Sequence, residues 1–186
     1  ETISLFASGS LDLTESLNLS GGVRWTDEKK STTIGFPYVA NFITTVFGSV
    51  GSGFFAGPIE FSDSNISPEV VLKYSPNDDF NVYAAFKTGY KSGGVDSETS
   101  IGGEIGVRSQ LADRTLTLNA TAFYYVFDDQ QIQNFDVNIF NFSTFNAGET
   151  TTKGIDVDWR WSTPLDGLSL FGAASYLDAA FSDTFI

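Results

Sequence analysis

Without a single histidine or cysteine in its 186 residues, the chain must do any chemistry with carboxylates, basic side chains, hydroxyls and aromatic rings. The missing imidazole removes the commonest general base and metal ligand, which excludes Ser-His-Asp and Cys-His catalysis within this chain. The missing thiols exclude a disulfide framework and a thiolate metal site. A hard cation such as Ca²⁺ takes carboxylate oxygens, and Asp128, Asp129, Asp156 and Asp158 offer them. They form no dense Asp-rich loop, so they read as ordinary surface acids. Nothing in their spacing sets two of them across a cleft, as glycoside hydrolysis requires. The sequence therefore calls for no cofactor and no catalysis.

Two other groups remain as site candidates. Arg24, Lys87, Lys91, Glu104, Arg108, Asp156, Asp158 and Arg160 fall on the polar face of alternating segments, with mixed signs. For any one of them the plain reading is a solvated or salt-bridged wall, and the functional one is contact with a passing anionic ligand. Phe36, Tyr38, Phe54, Phe55, Phe140, Phe142 and Phe145 lie in segments that read as loops. Clustered exposed rings mark binding surfaces, which makes these the better ligand candidates; the alternative is that they pack the loops against each other. A net charge of −13 and a pI near 4.1 argue against nucleic acid, which needs a basic face.

The elements that must position these residues are strands. From Phe80 to Lys91, the residues Phe80, Val82, Ala84, Phe86, Thr88 and Tyr90 share one face, while Asn81, Tyr83, Ala85, Lys87, Gly89 and Lys91 share the other. Side chains on a strand alternate faces with period two, so one face is apolar and its reverse mostly polar. The same alternation recurs around 2–12, 17–25, 67–74, 101–108, 115–126, 152–161 and 168–176, which makes eight strands and no convincing helix. No run of 18 apolar residues exists to form a membrane helix.

Loop lengths and ring placement choose the architecture. The turns after odd-numbered strands, such as Ser75–Asp79 and Thr163–Gly167, are short; the links after even-numbered strands are long. An up-and-down meander then gathers the tight turns at one end, the layout of outer-membrane barrels. Trp25, Tyr90, Tyr124 and Tyr176 fall near the long-loop ends, and Tyr74, Phe80, Trp159 and Trp161 near the short-turn ends. Two such belts around a band of small aliphatic residues form the membrane-interface pattern. The expected fold is all-β, an antiparallel up-and-down transmembrane β-barrel, in the outer membrane of a Gram-negative bacterium with lipid as its first partner. A complete eight-stranded barrel acting as an adhesin or structural protein is one alternative. A secreted carbohydrate-binding β-sandwich is another, since antiparallel sheets often wet one face.

The stretches LDLTESLNLSGGVRWTDEKK (11–30), SPEVVLKYSPNDDFNVYAAFKTGYKSGG (67–94), LADRTLTLNATAFYYVFDDQQIQ (111–133), NAGETTTKGIDVDWRW (146–161) and PLDGLSLFGAASYLDAAFSD (164–183), in that order, resemble the barrel of TonB-dependent outer-membrane receptors. The resemblance implies that residues 1–186 are part of a 22-stranded barrel, with the remaining strands and the N-terminal plug domain absent from this chain. It also implies uptake of a siderophore or another small nutrient, driven by the TonB complex through that missing N-terminal part. On this reading the eight charges face the lumen and touch plug or ligand, and the loop aromatics capture the ligand outside.

Overall fold

The computed structural model describes residues 1–35, 55–92, 97–136, 141–146 and 148–181. Ten strands occupy them: β1 (Thr2–Asp12), β2 (Leu17–Gly35), β3 (Phe55–Asn77), β4 (Phe80–Lys91), β5 (Glu98–Leu111), β6 (Leu116–Asp128), β7 (Gln131–Asp136), β8 (Asn141–Asn146), β9 (Thr150–Ser162) and β10 (Ser169–Phe181). Eight of them form one antiparallel sheet in the order β1-β2-β3-β4-β5-β6-β9-β10, while β7 and β8 pair separately. All eight expected strands are present, in an up-and-down meander.

A globular chain hides one apolar face against another layer. This one does not. Among the described residues Ala85 is the sole buried hydrophobic side chain, and no large side chain is fully buried. The accessible surface of 13284 Å² is half again the roughly 8,800 Å² expected of a compact chain of this mass. The exposed apolar side chains Leu5, Val23, Ile66, Leu72, Ile105 and Ile155 stand on one face, in register across neighbouring strands. A wall one layer thick with a greasy outside is stable only where hydrocarbon covers that outside. A sandwich, which needs a second sheet over the apolar face, is not what the described strands form. Nor is a closed eight-stranded barrel, since β1 and β10 each pair on one side only.

The aromatic belts give the strand tilt. Trp25 stands opposite Ile66 of β3. Following the pairs from Tyr176 through Ile155, Ala122, Ile105 and Ala84 leads back to β3 at Leu72. If these two rings mark one membrane level, that level slips six residues along β3 across the six steps from β2 to β10. One residue per step, with a rise of about 3.3 Å and a spacing of about 4.8 Å, corresponds to a tilt of roughly 35°. That lies within the range found for membrane barrels.

Three features depart from expectation. β2 and β3 run to 19 and 23 residues and pair beyond the outer belt as far as Gly35 and Phe55, with one irregularity between Thr32 and Ile34. The polar stretch after Asp128 contains the β7–β8 hairpin, in register from Gln131/Asn146 to Asp136/Asn141. The turn expected over Ser75–Asp79 tightens to Asp78-Asp79, where the Asn77 side-chain oxygen accepts from the Asp79 amide at 2.9 Å.

Candidate functional site: the polar face of the wall

At the outer belt, β4 and β6 each bring a side chain to one carboxylate oxygen on β5. Lys87 Nζ lies 3.0 Å from Glu104 Oε1, and the Tyr125 hydroxyl donates to the same oxygen at 2.6 Å. Tyr125 leans across Gly102, its register partner, where an added Cβ would run into the ring. One rung lower the guanidinium of Arg108 sits 5.7 Å from the centre of the Tyr83 ring. The Tyr83 hydroxyl shares a 3.0 Å hydrogen bond with Thr121, and its ring covers Gly106. Glycines thus provide the floor on which the large rings lie flat along the wall.

Towards β10 the acids are tied to neutral partners: Asp156 accepts from Ser175, and Asp158 accepts from Asn119 at 2.9 Å. The arginines Arg24 and Arg160 stand opposite Phe6 and Phe171. Those two rings, 77% and 79% exposed, are the most exposed large hydrophobic side chains described, and they lie on the polar face. Both outermost strand pairs thus set an arginine beside an exposed ring.

Beyond the outer belt, Glu28 is nearly buried. It accepts from Thr2 at 3.0 Å and pairs with Lys30 at 3.0 Å. Lys30 also donates to Ser92 at 2.6 Å. Asp63, opposite Glu28 on β3, accepts from the Tyr90 hydroxyl at 3.0 Å. Tyr90 therefore turns from the interface belt into a polar contact. Hydroxyl donors hold both carboxyls below their ordinary range: Ser92 is the main cause for Glu28, and Ser97 for Asp63. Lys91 pairs with Glu98 at 3.2 Å at the end of the β4–β5 ladder. A cavity of about 720 Å³ opens below, lined among others by Phe6, Arg24, Thr26, Glu69 and Gly89.

Of the eight charges singled out in the sequence, Lys87 and Glu104 pair directly, Arg108 lies over the Tyr83 ring, and Arg24 lines the outer cavity. Lys91, Asp156 and Asp158 have local partners, and Arg160 faces Phe171. Among the loop aromatics, Phe36, Tyr38, Phe54 and Phe140 lie outside the described residues. Phe55, Phe142 and Phe145 fall on strands, opposite Gly35, Phe135 and Ile132. Asp128 and Asp129 lie at the end of β6 and Asp156 and Asp158 within β9; no group of three metal-ligating side chains forms among the described residues. Tyr125, Tyr83, Glu28 and Asp63 were not singled out beforehand. Face parity put Tyr125 beside Glu104, but only the strand register joins them.

Comparison with known proteins agrees with this architecture. The model of the family described as TonB dependent receptor-like, beta-barrel, matches residues 1–185. The pesticin receptors of Yersinia enterocolitica and Yersinia pestis are 27% identical over 174 residues, covering 87% of this chain and 24% of theirs. The ferric yersiniabactin uptake receptor FyuA of Yersinia pestis superposes with a TM-score of 0.75 at 23% identity, over 97% of this chain and 27% of that one. The open form of the ferric-catecholate import receptor Fiu of E. coli K12 gives 0.71 at 17%, over 97% and 25%. The chain thus spans about a quarter of the length of the relatives it matches. With one family model running almost end to end over a lipid-facing, single-layer wall, the chain belongs to the TonB-dependent receptors of the Gram-negative outer membrane, as part of their β-barrel.

Proposed function

We propose that this chain is a wall segment of a receptor that captures a siderophore or similar small nutrient outside the cell and admits it by active uptake. The observation that carries the reading is the two-sided wall: apolar rings and aliphatics outside, and a hydroxyl- and charge-rich face inside, closed over by no second layer among the described residues. Such a face needs either water or a polar occupant. The related proteins are named as receptors for pesticin and for ferric yersiniabactin uptake, which makes an iron chelate the first ligand to try. On this reading the inner face docks against the protein's own plug domain, which the TonB complex works upon, and Arg24 with Phe6 and Arg160 with Phe171 are contact points. Lys87, Glu104 and Arg108 stiffen the wall. The chain performs no catalysis, and its loops supply the ligand contacts.

The test is uptake of labelled ferric chelates by iron-starved cells with and without the gene, each with TonB intact or deleted. Uptake that needs both the gene and TonB supports the reading. Equal uptake in the presence and absence of the gene, across a panel of ferric chelates, would sink it.

A further inference from the structure

The β3–β4 ladder stops at the outer belt, short of those on either side. Its outermost pair is Glu69 with Lys87, whereas β2 and β3 stay paired out to Gly35 and Phe55 and β4 and β5 out to Lys91 and Glu98. The stop falls at Pro68. Thr88 Oγ1 donates to the Pro68 carbonyl at 3.1 Å, so the polar backbone edge of Pro68 is turned towards β4. A hydrogen-bonded antiparallel pair exchanges two N–H···O bonds, and proline has no N–H to exchange. The Thr88 hydroxyl fills in for the ladder at its last step.

Farther out the seam is closed by side chains. Tyr90 reaches Asp63 at 3.0 Å, Lys30 reaches Ser92 at 2.6 Å, and the Ser92 and Ser97 hydroxyls hydrogen-bond to Glu28 and Asp63. Every one of these contacts joins the β2–β3 arm to the end of β4 or the link after it. Ser67 and Glu69 line the cavity from one side of the seam, and Gly89 and Tyr90 from the other. Trading a side-chain hydrogen bond for water costs little net, whereas parting a paired ladder strands many backbone groups at once.

We propose that this seam is a latch: the β2–β3 arm swings against the β4–β5 arm about Pro68 by releasing the bonds of Tyr90 and Ser97 to Asp63 and of Ser92 to Lys30 and Glu28, with both ladders intact. Opening it widens the cavity towards the outer surface. The inference concerns the wall's own motion and goes beyond the uptake reading.

Spin labels on the full-length protein in lipid nanodiscs test it. Ser31→Cys with Lys91→Cys spans the seam; Ser64→Cys with Ser31→Cys, both beyond Pro68 on the β2–β3 ladder, measures the arm alone. Removing the latch with Tyr90→Phe, Lys30→Ala, Ser92→Ala and Ser97→Ala is expected to add a longer-distance population to the seam pair and leave the arm pair unchanged. Pro68→Ala, which restores an N–H, is expected to narrow the seam distribution. An unchanged seam distance in the latch variant, or equal lengthening of both pairs, overturns the proposal, as does a Pro68→Ala variant with no narrowing. The readout is a distance, so it stands whether or not uptake of any ligand is found.

Discussion

Tyr125 on β6 donates at 2.6 Å to the Glu104 oxygen on β5 that also receives Lys87 from β4 at 3.0 Å. One carboxylate therefore ties three strands of a wall that has no core to hold it. The carboxylate and ammonium are both partly exposed, so the ion pair alone is worth modest stability, and the charge-assisted hydrogen bond from tyrosine adds to it.

Because the contacts share an atom, their energies should not add. Tyr125→Phe is expected to cost about 1–2 kcal/mol, and Lys87→Met about 0.5–1 kcal/mol. A double-mutant cycle read from denaturant unfolding of the folded barrel should show coupling of at least about 0.5 kcal/mol. Strict additivity would mean the three side chains are neighbours without a network.

The ring-on-glycine packing gives a contrast within one sheet. An added Cβ at Gly102 would clash with both the Tyr124 carbonyl and the Tyr125 ring, while at Gly9 it meets nothing within 4 Å. Gly102→Ala should destabilise by about 1–3 kcal/mol and loosen the Glu104 contact, whereas Gly9→Ala should be close to neutral. Comparable unfolding midpoints for the two variants would contradict the close packing.

Exposure to water and exposure to lipid are different properties, and two side chains separate them. Ile105 is 59% exposed at mid-band on β5, and Leu165 is 68% exposed in the β9–β10 turn. Arginine at Ile105 should cost about 2–4 kcal/mol, as a charge near the bilayer midplane does, and at Leu165 at most about 1 kcal/mol. Refolding into lipid vesicles with urea titration measures both. A similar cost at the two sites would remove the membrane from the outer face.

The parts of this fold legible in the sequence are those where one face meets hydrocarbon and the other water. Leu17–Trp25 and Phe80–Tyr90 alternate strictly because lipid enforces it, and their order fixed the meander. Past Trp25 both faces meet water, so Asp27-Glu28-Lys29-Lys30 reads as a loop although its backbone is paired to Phe61–Ser64. The β7–β8 hairpin hides for the same reason in an Asn- and Gln-rich stretch. Pro68 falls on the apolar face of the 67–74 alternation, which records where a side chain points and says nothing of the missing N–H. The Lys87–Glu104–Tyr125 contact needed the register, which spacing within single strands does not contain.

The outer seam should respond to acid in one direction only. Asp63 and Glu28 lie beyond the belt, and hydrogen bonds from Ser97 and Ser92 respectively are the leading causes that hold each below its ordinary value of 3.8 and 4.5. A carboxyl whose folded value is depressed contributes stability that is fully present above its unfolded value and lost as pH falls through the folded one. The seam should therefore be unaffected between about pH 6 and 8 and should loosen only below about pH 4, where these carboxylates begin to take up protons. The distance between labels at Ser31 and Lys91, followed from neutral to acid pH, measures this. With Asp63→Asn the acid response should shrink, since one of the two titrating groups is gone. Loosening that begins near neutral pH would assign the seam to a different titrating group.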